Sequence, residues 1–254
     1  MSQFMISLIN RFLLAKLHLD SVLDGSTPNK RKKALASLPQ TLNGAYEIEM
    51  MRIKRNAKYY EVAKRALSWV YFAKQPLHMI EMCEALAVHP IEDVEAADDG
   101  MDLDPGDIEK PEFILDSCGS LISWDCATDV IGFSHYTVSE FFKENAAGNI
   151  EPELYIARTC LTLLGFRTKY KFAEYAGDFW GAHMKDETVQ VDDSIQHLVL
   201  KDFGVRARRQ VIDQLAKQPA LHIIARHGLA KICAVLLNQH EMENRYIILR
   251  VSLI

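Results

Sequence analysis

The stretch SLISWDCATDVIGFSHYTVSEFF, residues 120–142, decides the fold. Two short runs of alternating or apolar character flank the residues CATD, which is the signature of a β-hairpin. A helix start follows at once, because Thr137 and Glu140 form a T-x-x-E pattern that predicts a capping box. His135 is therefore expected where the second strand ends, two residues before the predicted N-cap. It is either a ligand-binding or reactive group, or a packed histidine with a satisfied ring.

Three helical patterns precede this hairpin. The first covers residues 47–75, the second is HMIEMCEALAV, and the third is KPEFILDSCG, which Gly119 is expected to end. Between the second and the third, residues 91–109 are rich in Asp and Glu and predict a mobile loop. Three helices followed by a two-stranded wing describe a winged helix, which we assign to residues 56–145.

Acidic residues lie in or near the predicted third helix, which is the element that usually binds DNA in a winged helix. They are Asp107, Glu109, Glu112 and Asp116, against one base, Lys110. Phosphates would repel this helix, because DNA binding needs Lys and Arg side chains that displace counterions. The net charge of −5 gives no electrostatic support either. We expect no nucleic acid partner.

The first 55 residues are predicted to be helical, with no membrane span. Arg11, Lys16 and His18 interrupt the apolar stretch, and the basic start of a signal peptide is missing. The four consecutive bases at 30–33 fit a solvated helix face better than a nuclear-localisation signal. Five cysteines at irregular spacing do not suggest a disulfide framework. These features favour a cytoplasmic protein without a membrane partner.

The predicted fold is mainly α, and helical patterns continue after the winged helix. Residues 146–216 predict a helical linker, and residues 217–240 then resemble one partial ankyrin repeat. His222 falls on the turn histidine of such a repeat, where its role is structural. The tail at 241–254 is atypical. One repeat cannot bury its own stacking face, so this face is expected to be exposed or covered by something else. Its residues are Leu229, Ile232, Leu236 and Leu237.

The sequence lacks the motifs of common catalytic and phosphate-binding sites. It has no G-x-x-x-x-G-K-[ST], no G-x-S-x-G and no H-E-x-x-H. Cys118 and Cys126 are eight residues apart, with no second pair to complete a zinc site. Asp20, Ser21 and Cys83 could be combined with His135, but no spacing supports a triad. We therefore expect no enzymatic activity, no metal and no cofactor in this chain.

Several segments together resemble one family of signalling proteins. They are FLLAKLHLDSVLDGSTPNKRKKALASLPQTLNGAYE, AKRALSWVYFAKQPLHMIEMCEALAV, FSHYTVSEFF and EYAGDFWGAH. These segments look like the region after the nucleotide-binding domain of fungal NACHT–ankyrin proteins, which are signalling ATPases of the STAND type. The middle segment is also similar to the winged-helix module of glycosylphosphatidylinositol inositol-deacylase-like proteins. The resemblance covers about residues 11–238.

The resemblance implies an order of domains: a P-loop domain, a helical piece, a winged helix, a helical linker and ankyrin repeats. Residues 1–55 would then be the helical remnant that follows a missing NACHT domain, and the chain would be a fragment. In related switch ATPases a winged-helix histidine contacts the β-phosphate of ADP, and SHYTVSEFF matches that segment. His135 is thus expected to contact an ADP phosphate if the nucleotide domain is present. A packed histidine is the alternative.

The function expected from the resemblance is regulatory. The chain would be a non-catalytic signalling or scaffold segment whose partners are proteins, or the missing NACHT and ankyrin segments. Two alternatives remain open. One is an accessory module of a hydrolase of the inositol-deacylase type or of an NTPase, and the other is a DNA-binding winged helix.

Overall fold

The computed structural model of the protein divides into two compact units. Unit 1 consists of Met1–Tyr71 and Lys110–Ile150, and unit 2 of Phe72–Glu109 and Glu151–Ile254. The fold is mainly helical, as the sequence predicts. The residues that the structure describes are 3–90, 102–166, 170–199, 224 and 227–235, with side chains from residue 10 onward.

The described elements follow one another in a simple order along the chain. They are α1 (Gln3–Leu23), α2 (Pro28–Ala36), α3 (Leu42–Arg55), α4 (Ala57–Phe72), β1 (Leu77–His78), α5 (Met79–Ala87), α6 (Pro111–Cys118), β2 (Ile122–Asp125), β3 (Val130–Phe133), α7 (Tyr136–Asn145), α8 (Glu153–Leu164), α9 (Phe172–Phe179), α10 (Glu187–Gln190) and α11 (Asp193–His197). Short 3₁₀ turns occupy Pro105–Asp107, Gly119–Leu121 and Trp180–Met184. The predicted order of three helices and a two-stranded wing is present as α4, α5, α6, β2 and β3.

The predicted first helix is two helices, so the expectation of one helical pattern over 47–75 is wrong. Asn56 separates α3 from α4, because its backbone is extended (φ −108°, ψ 100°). Its carbonyl accepts hydrogen bonds from the backbone N–H groups of Tyr59 and Tyr60, and so starts α4. Asn favours such positions over helix interiors. The second helix then ends at Phe72 rather than Gln75.

The wing hairpin, defined as β2, β3 and their turn, has the predicted form. The strands are antiparallel, with Ile122 opposite Phe133 and Asp125 opposite Val130. Asp125 accepts a hydrogen bond from the backbone N–H of Ala127 at 2.9 Å, and Asp129 adopts φ 58°. Short polar residues of this kind stabilise tight turns because they tolerate that conformation.

Unit 1 packs its helices and the wing hairpin around one core. Helix α1 contacts α2 and α3, and α3 contacts α7 and the turn Gly119–Leu121. Burying large apolar side chains supplies most of the driving force for this packing. The largest fully buried side chains of the unit are Tyr46, Leu67, Trp69, Ile114, Leu121, Phe141 and Phe142.

Unit 2 is built on α8. Helix α8 packs against α9, the turn Trp180–Met184 and α11, while α5 packs against α9. Six fully buried side chains of this unit are aromatic or contain sulfur. They are Met82, Cys160, Phe172, Tyr175, Trp180 and Met184.

The predicted acidic loop is anchored over its second half. Leu103 is buried, and its backbone N–H donates to the hydroxyl of Tyr170 at 3.3 Å. Asp104 accepts from the backbone N–H of Gly106 at 2.8 Å, which stabilises the turn Pro105–Asp107. Residues 102–109 thus have defined contacts and one short turn, and the mobility of the loop stays a prediction. Residues 91–101 lie outside the described residues.

Part of the predicted ankyrin face is covered. Leu229 and Ile232 are fully buried, so of the two expected outcomes, exposure or cover by another segment, cover is the one observed at these positions. The backbone N–H of Lys231 donates to Oε1 of Gln190 at 3.1 Å, which places this segment beside α10. His222, Leu236, Leu237 and the tail 241–254 lie outside the described residues, and the ankyrin repeat stays a prediction.

None of the described helices combines the length and the hydropathy that a transmembrane span requires.

Gly119 generates the first testable prediction. It ends α6 with φ 56° and ψ −136°, and a Cβ there would collide with Oε1 of Glu49 and Nη2 of Arg52. Gly119→Ala is expected to lower the free energy of unfolding by about 2–5 kcal/mol, since backbone strain and overpacking add. Urea unfolding measures the change. Gly132→Ala is the control, because a Cβ at Gly132 meets no atom within 4 Å. Equal losses in the two variants would contradict the prediction.

Candidate functional site at the base of the wing

His135 is the N-cap of α7. Its Nδ1 accepts a hydrogen bond from the backbone N–H of Thr137 at 3.3 Å and lies 2.8 Å from the Thr137 hydroxyl. The ring is partly exposed, and its backbone is extended. The predicted capping box is therefore wrong: Thr137 lies inside the first turn and is buried, and the histidine side chain takes the place that the threonine was expected to occupy.

The hydrogen bonds around His135 determine which group donates and which accepts among His135, Thr137 and Tyr46. Nδ1 accepts from a backbone N–H, so this nitrogen is unprotonated and the neutral ring carries its proton on Nε2. The Thr137 hydroxyl then donates to Nδ1 and accepts from the hydroxyl of Tyr46, 2.7 Å away. Burial raises the pKa of Tyr46 against the opposing effect of its bond to Thr137, which keeps the phenol protonated as the donor.

This geometry defines what His135 could offer to a ligand. Nδ1 is used at the start of α7, so Nε2–H is the donor that could reach an anion. The contact with an ADP phosphate stays a prediction. The alternative of a packed histidine requires a buried ring bonded to the backbone; the bond to the Thr137 backbone is present, but the ring is partly exposed, so the alternative stays a prediction as well.

Glu49 connects α3 to the base of the wing. The residue is buried, and its Oε1 accepts from the backbone N–H of Ser120 at 3.0 Å and from the Ser120 hydroxyl at 3.2 Å. Ser134 closes the same end of the hairpin, because its hydroxyl donates to the Ser120 carbonyl at 2.7 Å. Tyr46 lies one helical turn before Glu49 on α3. Helix α3 therefore binds both ends of the wing hairpin: Ser120 just before it and Thr137 just after it.

Arg52 is the charged partner of Glu49. Its Nε and Nη2 donate to the two carboxylate oxygens of Glu49 at 3.0 and 2.5 Å, which is a bidentate pair. Burial alone would lower the pKa of Arg52, but the hydrogen bonds and charge of Glu49 outweigh it and raise the pKa. Asp24 lies 3.8 Å from Nη1. The arginine is thus a permanent charge in a fixed position.

Unit 2 contains a second polar cluster, centred on the fully buried His183. Its Nδ1 lies 3.1 Å from Oε1 of Glu153, and its Nε2 lies 2.9 Å from the Tyr175 hydroxyl. Lys74 contributes twice: Nζ donates to Glu153 at 2.5 Å, and the backbone N–H donates to Tyr175 at 3.0 Å. The cluster joins the start of α8, α9, the turn after α9 and the segment after α4.

The protonation of this cluster follows from its contacts. Burial lowers the pKa of His183, with the bond to Glu153 opposing it, so the ring is neutral. Burial raises the pKa of Glu153, but the bonds from His183 and Lys74 outweigh it and lower the pKa. A carboxylate only accepts, so Nδ1 carries the proton and Nε2 accepts from Tyr175. Burial raises the pKa of Tyr175, which stays protonated. The arrangement resembles a catalytic relay, but its central ring is enclosed.

Thiols and metal ligands give no alternative site in the described part of the chain. Cys118 and Cys160 are buried, and burial raises the pKa of both, which disfavours the reactive thiolate. Cys126 is exposed, whereas Cys118 is fully buried. No group of three or more His, Cys, Asp or Glu among the described residues has the geometry to hold a metal ion.

The exposed face of α6 is acidic, as the sequence predicts. Glu112 and Asp116 lie four residues apart and are both exposed, so they point from the same face of the helix. Asp107 is also exposed ahead of the helix. This face would repel a phosphate backbone.

The comparison with protein families identifies the module around this site. Residues 48–154 match the family model of the GPI inositol-deacylase winged helix domain. A winged helix domain of this type is therefore present, and it includes the wing hairpin, His135 and Glu49. No curated protein and no solved structure matches the chain.

The site residues were only partly accessible to sequence reasoning. His135 was found because a helix start follows it. Tyr46, Glu49 and His183 were missed because their partners are distant in sequence. Tyr46 contacts Thr137, 91 residues away, and Glu49 contacts Ser120, 71 residues away. His183 contacts Glu153, 30 residues away. The segment EYAGDFWGAH ends at His183, and its aromatic residues are the sequence signal for a buried cluster there.

His135 generates a prediction about the start of α7. His135→Ala removes the side-chain acceptor and is expected to cost about 1 kcal/mol in the free energy of unfolding, while His135→Asn restores most of it, because Asn is a strong N-cap. Glu140→Ala separates this arrangement from a capping box at Thr137. Glu140 is exposed, so its loss is expected to cost less than about 0.5 kcal/mol. A larger cost at Glu140 than at His135 would contradict the observed cap.

His183 generates a prediction about pH. The folded state keeps the ring neutral below its ordinary pKa of 6.5, whereas the unfolded chain takes up a proton there. Stability is then fully present above pH 6.5 and falls as the pH drops below it. The lowered pKa of Glu153 adds a second loss below pH 4.5. Urea unfolding from pH 7.5 to 5 is expected to show the decline, with a shallower slope in His183→Asn. Identical slopes in the two proteins would contradict it.

Proposed function

We propose that this chain is a non-catalytic regulatory or scaffold segment of a STAND-type signalling protein of the cytoplasm. It acts through contacts with other proteins or with other segments of its own polypeptide, such as NACHT and ankyrin domains. Any ADP or ATP would bind in the NACHT domain. The winged helix domain over residues 48–154 and the resemblance of the flanking segments support this proposal.

The exposed apolar surface of α1 is the observation that carries the proposal. Phe12, Leu19 and Leu23 are 69%, 57% and 57% exposed. They are seven and four residues apart, which puts them along one stripe of the helix. Two further large apolar side chains, Leu35 on α2 and Met51 on α3, are also more than half exposed. Clustered exposed apolar side chains are typical of surfaces that bind proteins.

The polar clusters support a structural rather than a catalytic use of their residues. The ring of His135 starts α7, Glu49 joins α3 to the wing, and His183 is enclosed between Tyr175 and Glu153. Each of these groups stabilises the packing of helices, which is what a module that transmits contacts requires.

A hydrolase-accessory role is the second candidate. The matching family model describes a winged helix domain of GPI inositol-deacylase, and such a domain is equally compatible with a partner or neighbouring hydrolase domain. DNA binding has less support, because the exposed face of α6 carries Glu112 and Asp116.

The flanking genomic sequence separates the two candidates. We expect the reading frame upstream of Met1 to encode a P-loop domain with G-x-x-x-x-G-K-[ST]. An upstream domain with G-x-S-x-G and no P-loop would instead favour the hydrolase-accessory role and overturn our proposal.

The apolar stripe of α1 gives a binding prediction. The P-loop domain that we expect upstream of Met1, produced as a separate protein, is expected to bind this chain in isothermal titration calorimetry. The triple variant Phe12→Ser, Leu19→Ser and Leu23→Ser should weaken binding at least about tenfold, because apolar area is no longer buried. Ile80→Ser with Val191→Ser is the control, since both side chains are exposed and apolar but lie in unit 2. An equal loss in the control, or none in the triple variant, would contradict the proposed surface.

The absence of catalysis is tested directly on the purified chain. We expect no hydrolysis of ATP or of simple esters above background, because the groups with acid–base chemistry are engaged in packing. Turnover that disappears in His183→Asn or His135→Ala, with the fold retained, would contradict the non-catalytic role.

A further inference from the structure

A groove in unit 1 lies between the first three helices. It has a volume of about 480 Å³ and is lined by residues of α1, α2, α3 and the turn between α1 and α2. Its charged lining residues are Asp24, Lys30, Lys33, Glu49, Arg52 and Arg55. Small-molecule sites usually measure about 300–1,000 Å³, so the groove has the size of a ligand site.

The groove belongs to the basic part of an acidic protein. Residues 1–55 contain nine Lys and Arg against four Asp and Glu, which gives this segment a formal charge of +5, whereas the whole chain carries −5. Four of these nine bases line the groove. The four bases outnumber the two acids of the lining, Asp24 and Glu49, and a concave surface with an excess of one sign of charge concentrates counter-ions of the other sign.

Three of the four bases form no ion pair with a carboxylate within the described residues, and one of these three, Lys30, is bonded to a hydroxyl. Arg52 is paired with Glu49, and Lys30 donates to the Ser26 hydroxyl at 3.1 Å. Lys33 and Arg55 are exposed, and neither forms an ion pair with a carboxylate within the described residues. The groove therefore presents positive charge that the protein itself does not neutralise.

The walls of the groove are held in position. Arg52 is fixed by its two hydrogen bonds to Glu49, which is in turn bonded to Ser120. Nε of Arg31 donates to the Gly25 carbonyl at 2.8 Å and ties the turn after α1 to α2. A Cβ at Gly25 would lie 2.9 Å from Cγ of Arg31, so this close approach requires glycine. Preorganised walls reduce the entropic cost of binding.

We propose that this groove binds clustered phosphate groups, as carried by a small organic or inorganic polyphosphate or by a polyphosphorylated lipid headgroup. Lys33 and Arg55 supply the charge, Arg52 supplies a fixed guanidinium, and the hydroxyls of Ser21 and Ser37 line the same groove. Guanidinium and ammonium groups are the side chains that recognise phosphate. The volume of the groove favours a compact ligand over an extended nucleic acid.

The test uses tripolyphosphate and the intact chain in isothermal titration calorimetry. The double variant Lys33→Glu with Arg55→Glu is expected to weaken binding on the order of 100-fold, because two charged hydrogen-bond donors are lost. The matched control is Lys32→Glu with Lys54→Glu. It makes the same change in net charge at neighbouring positions of α2 and α3 that do not line the groove. Circular dichroism confirms that each variant is folded.

Vesicles distinguish the two sources of phosphate. Binding of vesicles that contain a phosphatidylinositol bisphosphate, lost in Lys33→Glu with Arg55→Glu, would identify the lipid headgroup as a ligand. Tripolyphosphate binding without vesicle binding would identify a soluble ligand, and both results support the groove. The proposal is overturned if neither probe binds, if the control loses as much affinity as the groove variant, or if phosphatidylserine vesicles bind equally well.

Discussion

The buried carboxylate of Glu49 holds the N-terminal helices and the wing together. It accepts two hydrogen bonds from Arg52 and two from Ser120, so a charge that would be costly to bury alone is fully satisfied. Removing Arg52 would leave the buried carboxylate without its charged partner, but because the Arg52 side chain is 37% exposed, the cost is below the about 3–5 kcal/mol of a fully buried pair. The pair also lies over Gly119, which leaves no room for a side chain at the end of α6.

Other features of unit 1 depend on this contact. With Glu49 bound to Ser120, Tyr46 on the same helix meets Thr137 at the start of α7. The contacts of Glu49 with Ser120 and of Tyr46 with Thr137 join α3 to both ends of the wing hairpin. A displacement of α3 would therefore act on the hairpin and on α7. Proteins that bind the exposed stripe of α1, or ligands in the basic groove, would therefore act on a helix that is joined to the wing. We propose that this connection between α3, the wing hairpin and α7 is the physical basis of the regulatory role.

Local patterns predicted much of this fold from sequence. The hairpin, the end of α6 at Gly119 and the acidic face of α6 all depend on residues that are close in sequence, and all are present. The N-cap of α7 was assigned to the wrong residue, because a histidine ring can accept a hydrogen bond as well as a threonine hydroxyl can. Asn56 ended α3 where periodicity alone continues it. Glu49 was not predictable, since a glutamate on an amphipathic helix looks solvent-exposed until its distant partner is known.

The amide hydrogen of Ser120 reports most directly on the contact between α3 and the wing, because it is bonded to Oε1 of Glu49. Hydrogen exchange, followed by NMR, measures its protection. In Glu49→Ala we expect protection to fall at Ser120 and along the wing hairpin, while Glu47→Ala, an exposed change on the same helix, leaves it intact. Unchanged protection of Ser120 and the wing in Glu49→Ala would contradict the claim that Glu49 joins α3 to the wing.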